Sequence, residues 1–426
     1  MFKTKRNWKQ KARLLFLIFE RFKKMNSTPK SERFYIGIFG RCNSGKSSLI
    51  NALTNQKISV VSPKKGTTTD NVLKAIELNN LGPCVFVDTP GFDDDEKDIL
   101  GKIRIKKSVE TMEMINAAIL VLKDRNYLDE NEKKIIEKLN IKKIPLIVVI
   151  NIFKEKIEMN DKLDEKNYIA VNAKTKENIN NLTTLICDHF KDFVKQNDII
   201  KDLLKPLDII VLVIVMDSAY PKARLILPQQ QLINDVLTAG AICYVCRNFE
   251  YEDLIKNLKV KPKLIITDSQ IFDEIFKKTP KEYLITSFSI LLARKKGVLK
   301  ESIKGVKSLK NLKDGDTILI CESCTHKKKS CDLGSVKIPN WIKKYTNKKI
   351  NFEFLTGCDF EQNIKKYSLI IHCGGCMTTE KIIKQRFNIA KKNKIPMTNY
   401  GILIAYLNNV LEKSVSFLDK LKNLNS

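Results

Sequence analysis

A chain of 426 residues with 43% hydrophobic and 29% charged side chains is neither disordered nor fibrous, and at roughly 150 residues per domain three cores are expected. A formal charge of +28 would suit nucleic acid if one face carried it. Lysine instead runs through every segment among Asp, Glu and Asn with few aromatics between, so no specific nucleic-acid partner is expected.

Residues 1–24, MFKTKRNWKQKARLLFLIFERFKK, are strongly basic with one short apolar run, and Met25 then opens an ordinary-looking N-terminus. An over-extended start or disordered tail, an organelle-type presequence and a surface amphipathic helix all fit residues 1–30. The 11 cysteines are odd in number and come without a clear secretory signal, which argues against a disulfide framework and for a reducing compartment. The longest apolar run, IIVLVIVM at 209–216, is far short of the roughly 20 residues that span a bilayer, so it reads as a buried strand and no membrane partner is expected.

From 31 to 192, apolar strands (FYIGIFG, CVFVDTPG, AAILVLK, IPLIVVI, YIAVNAK) alternate with helical stretches, the rhythm of a doubly wound, mostly parallel sheet. A polar linker at 191–206 leads to a second, smaller α/β unit at 201–283, and a third at 284–426 has strands at TILICES, NFEFLT and SLIIHC with a helical reading from about 379 onward. The fold class expected is α/β, a Ras-like P-loop domain followed by two smaller α/β domains.

GRCNSGKSS at 40–48 is a full G-x-x-x-x-G-K-S between a strand and a helix. Gly40 and Gly45 permit the tight loop whose N–H groups wrap phosphates together with Asn43, Ser44 and Ser48. Lys46 reaches the β/γ oxygens, and the Ser47 hydroxyl ligates Mg²⁺. GTTTD at 66–70 offers a switch hydroxyl to Mg²⁺ from Thr68, with Thr69 as the alternative. DTPG at 88–91 offers Asp88 to the metal shell and the Gly91 N–H to the γ-phosphate. Guanine recognition is degraded: where Asn-Lys-x-Asp is expected the chain reads NIFK at 151–154, keeping Asn151 but placing Lys154 where a carboxylate belongs. A lysine has three donors and no acceptor, so only a one-residue slip to Glu155 restores the chemistry. Asn172, Ala173 and Lys174 do match the element that meets the guanine O6. Phe92 stands where many GTPases hold a water-orienting glutamine, and Asn43 resembles the asparagine of TrmE-like GTPases in which K⁺ stands in for an arginine finger.

Two of the three histidines flank cysteine pairs: CESCTH at 321–326 and HCGGC at 372–376. Cys324, Cys373 and Cys376 supply three thiolates, with His326 and His372 beside them. Such a set suits zinc as three thiolates plus imidazole, or a [4Fe–4S] cluster with one open iron, and spacing leaves the metal open between the two; small buried cysteines are the non-metal reading. Cys321 is held as a spare thiol, the CYVC pair at 243–246 reads as core, Cys331 and Cys358 have no partner at ligand spacing, and His189 reads as surface or filler.

Taken together, GRCNSGKSSLINALT, SPKKGTTTDNVLKAIEL, PKARLILPQQQ, KPKLIITDSQ, VKIPNWIKKYT, IIHCGGCM and PMTNYGILIAYL resemble the HydF family, the GTPase maturation factor of [FeFe]-hydrogenase, from Met25 to about 415. The family pattern C-x-H … H-C-x-x-C falls on Cys324, His326, His372, Cys373 and Cys376. The resemblance implies a GTPase domain, a dimerisation domain and an iron–sulfur cluster-binding domain. It implies GTP, Mg²⁺, a [4Fe–4S] cluster with an exchangeable fourth site, and a transient di-iron subcluster as cargo. It also implies a homodimer that works with the radical-SAM maturases HydE and HydG and delivers to apo-hydrogenase HydA, in the cytoplasm, or in a hydrogenosome- or mitochondrion-like organelle if residues 1–24 are a presequence. The rival readings are a potassium-dependent GTPase of RNA modification or ribosome assembly with a structural zinc domain, and an interaction module with a dead nucleotide site.

Overall fold

The computed structural model describes residues 30–54, 72–79, 81–91, 110–125, 127–153, 168–194, 197–215, 225, 227–322, 333–356, 360, 364–376 and 378–419. The basic extension at 1–24 lies outside them. Two compact units divide at Lys195 and Gln196.

The first unit contains β1 (Phe34–Phe39), α1 (Lys46–Thr54), β2 (Val72–Leu78), β3 (Gly82–Asp88), β4 (Ala117–Lys123), α2 (Glu130–Ile141), β5 (Leu146–Asn151), β6 (Tyr168–Val171) and α3 (Ile179–Phe190). The strands order as β2-β3-β1-β4-β5-β6, and all pair in parallel except β2 with β3. β1 is buried along its whole length because the sheet is covered on both faces. The two-residue period of a strand divides its side chains: Ile36 and Ile38 pack with Leu49 of α1 and Leu182 of α3, while Tyr35 and Phe39 join Leu139 of α2 on the other face. Asp129 starts α2 with a capping box, accepting from the Glu132 N–H while Glu132 accepts from its own.

The second unit holds two four-stranded parallel sheets. The first is built from β7 (Ile209–Ile214), α4 (Leu227–Thr238), β8 (Ile242–Arg247), α5 (Tyr251–Asn257), β9 (Leu264–Thr267), α6 (Phe272–Lys278) and β10 (Ile285–Ser287), in the order β10-β9-β7-β8. After α7 (Phe288–Lys295) and α8 (Leu299–Val306) comes the second, with β11 (Thr317–Glu322), α9 (Ile338–Thr346), β12 (Asn351–Thr356), β13 (Leu369–His372), α10 (Glu380–Lys392), β14 (Met397–Asn399) and α11 (Tyr400–Leu407), in the order β12-β11-β13-β14.

This unit departs from the sequence reading in four places. β10 pairs with β9, so the middle sheet runs past the boundary expected at 283. β14 interrupts the region read as helical from 379, because Met397–Asn399 are buried beside β13. One continuous core also joins both sheets, from Leu212 of β7 through Ile290 of α7 to Ile320 of β11 and Leu403 of α11. The CYVC pair is only half core. Cys246 is buried, but Ile242, Tyr244 and Val245 are exposed because β8 stands at the edge of its sheet.

Candidate functional site

The loop between β1 and α1 is held by residues that only its conformation explains. Gly40 and Gly45 have φ of +147° and +89°, and Asn43 takes the left-handed region at +59°. The Lys46 side chain is buried, and its ammonium donates to the Gly40 and Arg41 carbonyls at 2.9 and 2.7 Å, closing the loop. Ser44 is buried, whereas Asn43, Ser47 and Ser48 are exposed at the mouth. The Ser47 hydroxyl donates to Asp88 Oδ2 at 2.6 Å, while Asp88 Oδ1 is buried with no hydrogen-bond partner among the described residues. A hydroxyl and a carboxylate with a spare oxygen fit a hard, oxygen-seeking Mg²⁺. The DTPG turn is pinned by Thr89, whose Oγ1 donates to the Ile38 carbonyl at 2.6 Å. A Cβ on Gly91 would stand 2.6 Å from the Cys42 nitrogen, so only glycine lets this turn lie against the loop.

Asn151, at the end of β5, joins three segments. Its Nδ2 donates to the Ser44 carbonyl and its Oδ1 accepts from the Ala173 N–H, both at 3.1 Å. The Ala173 N–H expected to face a guanine O6 is therefore turned to Asn151 here. Asn172 Oδ1 accepts from the Lys174 and Thr175 N–H groups at 3.0 Å, an Asx turn that shapes the loop after β6. The Phe153 ring is 51% exposed, with the Lys123 ammonium 5.2 Å from its centroid. Its tip would lie 2.8 Å from a Cβ on Gly45, so an apolar face stands beside the phosphate loop. Thr68, Thr69, Phe92, Lys154 and Glu155 lie outside the described residues.

At the second site, β11 is the point from which the chain turns first to β12 and then to β13 on the other side, the position where parallel sheets open a crevice at their carboxyl ends. Cys321 pairs with His372 across that point, and the Cys373 N–H continues the ladder to the Cys321 carbonyl at 2.8 Å. Cys321 is thereby a buried strand residue, while Cys373 and Cys376 are partly exposed. Between them Gly375 turns the chain with φ +62°. Cys324, His326, Cys331 and Cys358 lie outside the described residues, among which no group of three or more His, Cys, Asp or Glu side chains converges on a metal position.

His372 does not face outward as a ligand would. It is 1% exposed; Arg386 of α10 donates to its Nε2 at 2.7 Å, and its Nδ1 lies 2.6 Å from the Cys373 carbonyl. A guanidinium only donates, so Nε2 is the acceptor and the proton sits on Nδ1, which donates to the carbonyl. Both nitrogens are used by the protein, so in this structure His372 supports Cys373 and does not offer a free nitrogen to a metal.

Sequence reasoning also passed over two buried cations. Arg386 is 2% exposed and Lys296 is 7% exposed. Lys296 follows α7 and donates to the carbonyls of Gly375 and, at 3.1 Å, Thr378. Burial pulls its ammonium down to about 8, opposed by the charges of Cys376 and Cys373. Among 76 lysines and arginines nothing marks these two in sequence. By contrast, burial pushes the Cys243 and Cys246 thiols up to about 11, which keeps them protonated and inert. His189 is half-buried edge-on against Phe190.

A phosphate loop with a paired hydroxyl and carboxylate, carried on this sheet, defines a P-loop nucleotide-binding protein of the GTPase class with an appended thiol-bearing α/β unit. Residues 35–152 match the 50S ribosome-binding GTPase domain, residues 199–297 the hydrogen maturase F dimerization domain and residues 300–417 the hydrogen maturase F tetramerization domain. The chain belongs to the hydrogen maturase F (HydF) family.

It is also similar to GTPase Era of Clostridium acetobutylicum, 30% identical over 167 residues covering 37% of this chain and 56% of that protein. GTPase Era of Buchnera aphidicola is 36% identical over 163 residues, covering 36% and 55%. The chain thus spans about half the length of these curated relatives. Among solved structures, Aquifex aeolicus Era bound to GDP.AlF4- covers 51% of this chain and 93% of its own at 18% identity and a TM-score of 0.31. The G domain of the T. maritima FeoB covers 37% and 98% at 21% identity and a TM-score of 0.29. No helix among the described residues is long and apolar enough to cross a membrane.

Proposed function

We propose that the protein is a maturation factor of [FeFe]-hydrogenase: a GTP-binding scaffold that holds a [4Fe–4S] cluster on Cys324, Cys373 and Cys376, receives a di-iron subcluster and delivers it to apo-hydrogenase. The observation that carries this reading is the junction of β11 and β13. There the segment leading toward Cys324 and the segment bearing Cys373 and Cys376 leave adjacent strand ends, beside a buried lysine, at a crevice position. Three thiolates leave one iron open to an exchangeable ligand, which suits a carrier and not a closed structural site. HydE and HydG as suppliers and HydA as receiver follow from the family alone. Self-association is supported by the dimerization and tetramerization domains matched and by the exposed apolar edge at β8.

The test is anaerobic purification. The expected product is brown and oxygen-sensitive, with iron and sulfide, a paramagnetic signal on reduction, and a light-scattering mass of a dimer or larger. Zinc in place of iron, with co-purifying RNA, would instead support the potassium-dependent RNA or ribosome-assembly GTPase, which the same P-loop and the charge of +28 also fit.

Nucleotide hydrolysis is proposed to be slow and switch-like, with Mg²⁺ on Ser47, Asp88 and Thr68 and K⁺ beside Asn43. Hydrolysis is then faster in potassium than in sodium at equal ionic strength, and Asn43→Ala erases the difference. In the same assay GTP displaces ATP if Glu155 supplies the missing carboxylate, and Glu155→Ala weakens GTP binding by about 1.5–3 kcal/mol, the worth of hydrogen bonds to a charged group. Equal rates in the two salts remove K⁺. Indifference between GTP and ATP means that the base is held by stacking on Phe153 and that guanine specificity is lost.

A further inference from the structure

Removing an ammonium from water is costly unless a charged partner compensates it, and proteins seldom bury one on carbonyl groups alone. Lys296 does this. It extends from the residue after the last turn of α7, whose N–H closes that helix on the Leu292 and Arg294 carbonyls, into the turn that follows β13. There its Nζ donates to the carbonyls of Gly375 and Thr378 and lies 3.2 Å from where a Cβ on Gly375 would stand. Thr378 closes the same turn through its N–H to the Gly375 carbonyl at 3.0 Å, and Thr379 then caps α10. The ammonium therefore occupies the inside of the loop that carries Cys373 and Cys376. The second buried cation, Arg386, reaches the same loop through His372 and the Cys373 carbonyl.

A loop that needed only to be held could be held by a neutral donor. A charge at this place is useful when the loop's thiols carry negative charge, as they do on binding a metal cluster. The carbonyls it holds belong to Gly375 and Thr378, on either side of Cys376, so the same group sets the direction of the loop and the potential around it.

We propose that Lys296 is a positioning residue of the thiolate site, which fastens the Gly375–Thr378 turn from inside and supplies the buried positive charge that favours the reduced, more negative state of a bound cluster. The proposal rests on the cluster reading above but adds a residue outside the Cys/His pattern. It makes α7, which follows the first sheet of the unit, a support of the site in the second.

The test uses the full chain in three variants: Lys296→Met, which removes both hydrogen bonds and charge; Lys296→Gln, which can donate but is neutral; and Lys296→Arg, which keeps the charge. In anaerobically reconstituted protein, Lys296→Met and Lys296→Gln lower the reduced-to-oxidised ratio at a fixed ambient potential at least tenfold, about 59 mV for a one-electron couple, and Lys296→Arg stays near the parent. In metal-free protein, amide hydrogen exchange over 375–379 rises at least tenfold in Lys296→Met and stays near the parent in Lys296→Gln. A parental redox ratio in both neutral variants overturns the charge role, and parental exchange in Lys296→Met overturns the fastening role. Should Lys296→Met not fold, Lys296→Gln carries the redox arm and Lys296→Ala, which also removes the donor, carries the exchange arm. Failure of the parent to assemble any cluster refutes the function proposed above, and exchange in the metal-free chain still decides the fastening role.

Discussion

Lys46→Ala abolishes nucleotide binding at micromolar concentrations and leaves the iron content of the protein unchanged. The Lys46 ammonium is held inside the phosphate loop on the Gly40 and Arg41 carbonyls, so its charge is already placed and little reordering opposes its use. Truncating one partner of a buried, hydrogen-bonded charge pair costs about 2–5 kcal/mol, roughly two to four decades in Kd. Alanine is the best helix former, so α1 keeps its start, and the loss is of charge and not of fold. The thiol site belongs to the other compact unit, with its own core. A fluorescent-nucleotide titration beside an iron assay checks both halves. Loss of iron in this variant would show that the two units are coupled in stability.

What could be read from sequence is local and backbone-coded. Gly40, Gly45 and Gly91 are glycines because the chain there turns through positive φ or touches other backbone, and such needs leave a fixed spacing. Asp88 and Ser47 were legible for the same reason, Asp88 being the last residue of β3 and Ser47 the second of α1. The remainder of the sites depends on contacts between distant segments. Lys296 and Arg386 sit 79 and 14 residues from the groups they hold, at positions where a lysine or arginine in this lysine-rich chain reads as a solvated face. His372 shows the same limit, because its sequence neighbours are cysteines. Spacing places a histidine beside a thiol but does not say which way its ring turns, and in the structure the ring turns inward to α10. The β8 strand misled in the opposite sense, since an apolar run looks buried until the strand order puts it at an edge.

Cys373→Ser and Cys376→Ser each lose nearly all cluster iron, and His372→Ala does not. Losing one thiolate from a three-thiolate set leaves two open irons on the cluster, which water and buffer then attack. His372 acts differently because both of its nitrogens serve the protein, one accepting from Arg386 and the other donating to the Cys373 carbonyl. Its removal leaves the buried Arg386 without that acceptor and lowers folding stability by about 1.5–3 kcal/mol, the worth of a hydrogen bond to a charged group. His372→Gln offers an acceptor again and recovers part of that loss, which separates stability from ligation. Iron in both His372 variants, assayed well below their melting temperatures, stays near the parent while the paramagnetic spectrum changes through the shifted Cys373. His326→Ala carries the remaining case for a displaceable fourth ligand: iron stays, and the response of the spectrum to added exogenous ligand changes. If His326→Ala and His372→Gln both lose iron as completely as Cys373→Ser, imidazole is a structural ligand, the site has no open position for cargo, and the carrier function proposed for this chain is wrong.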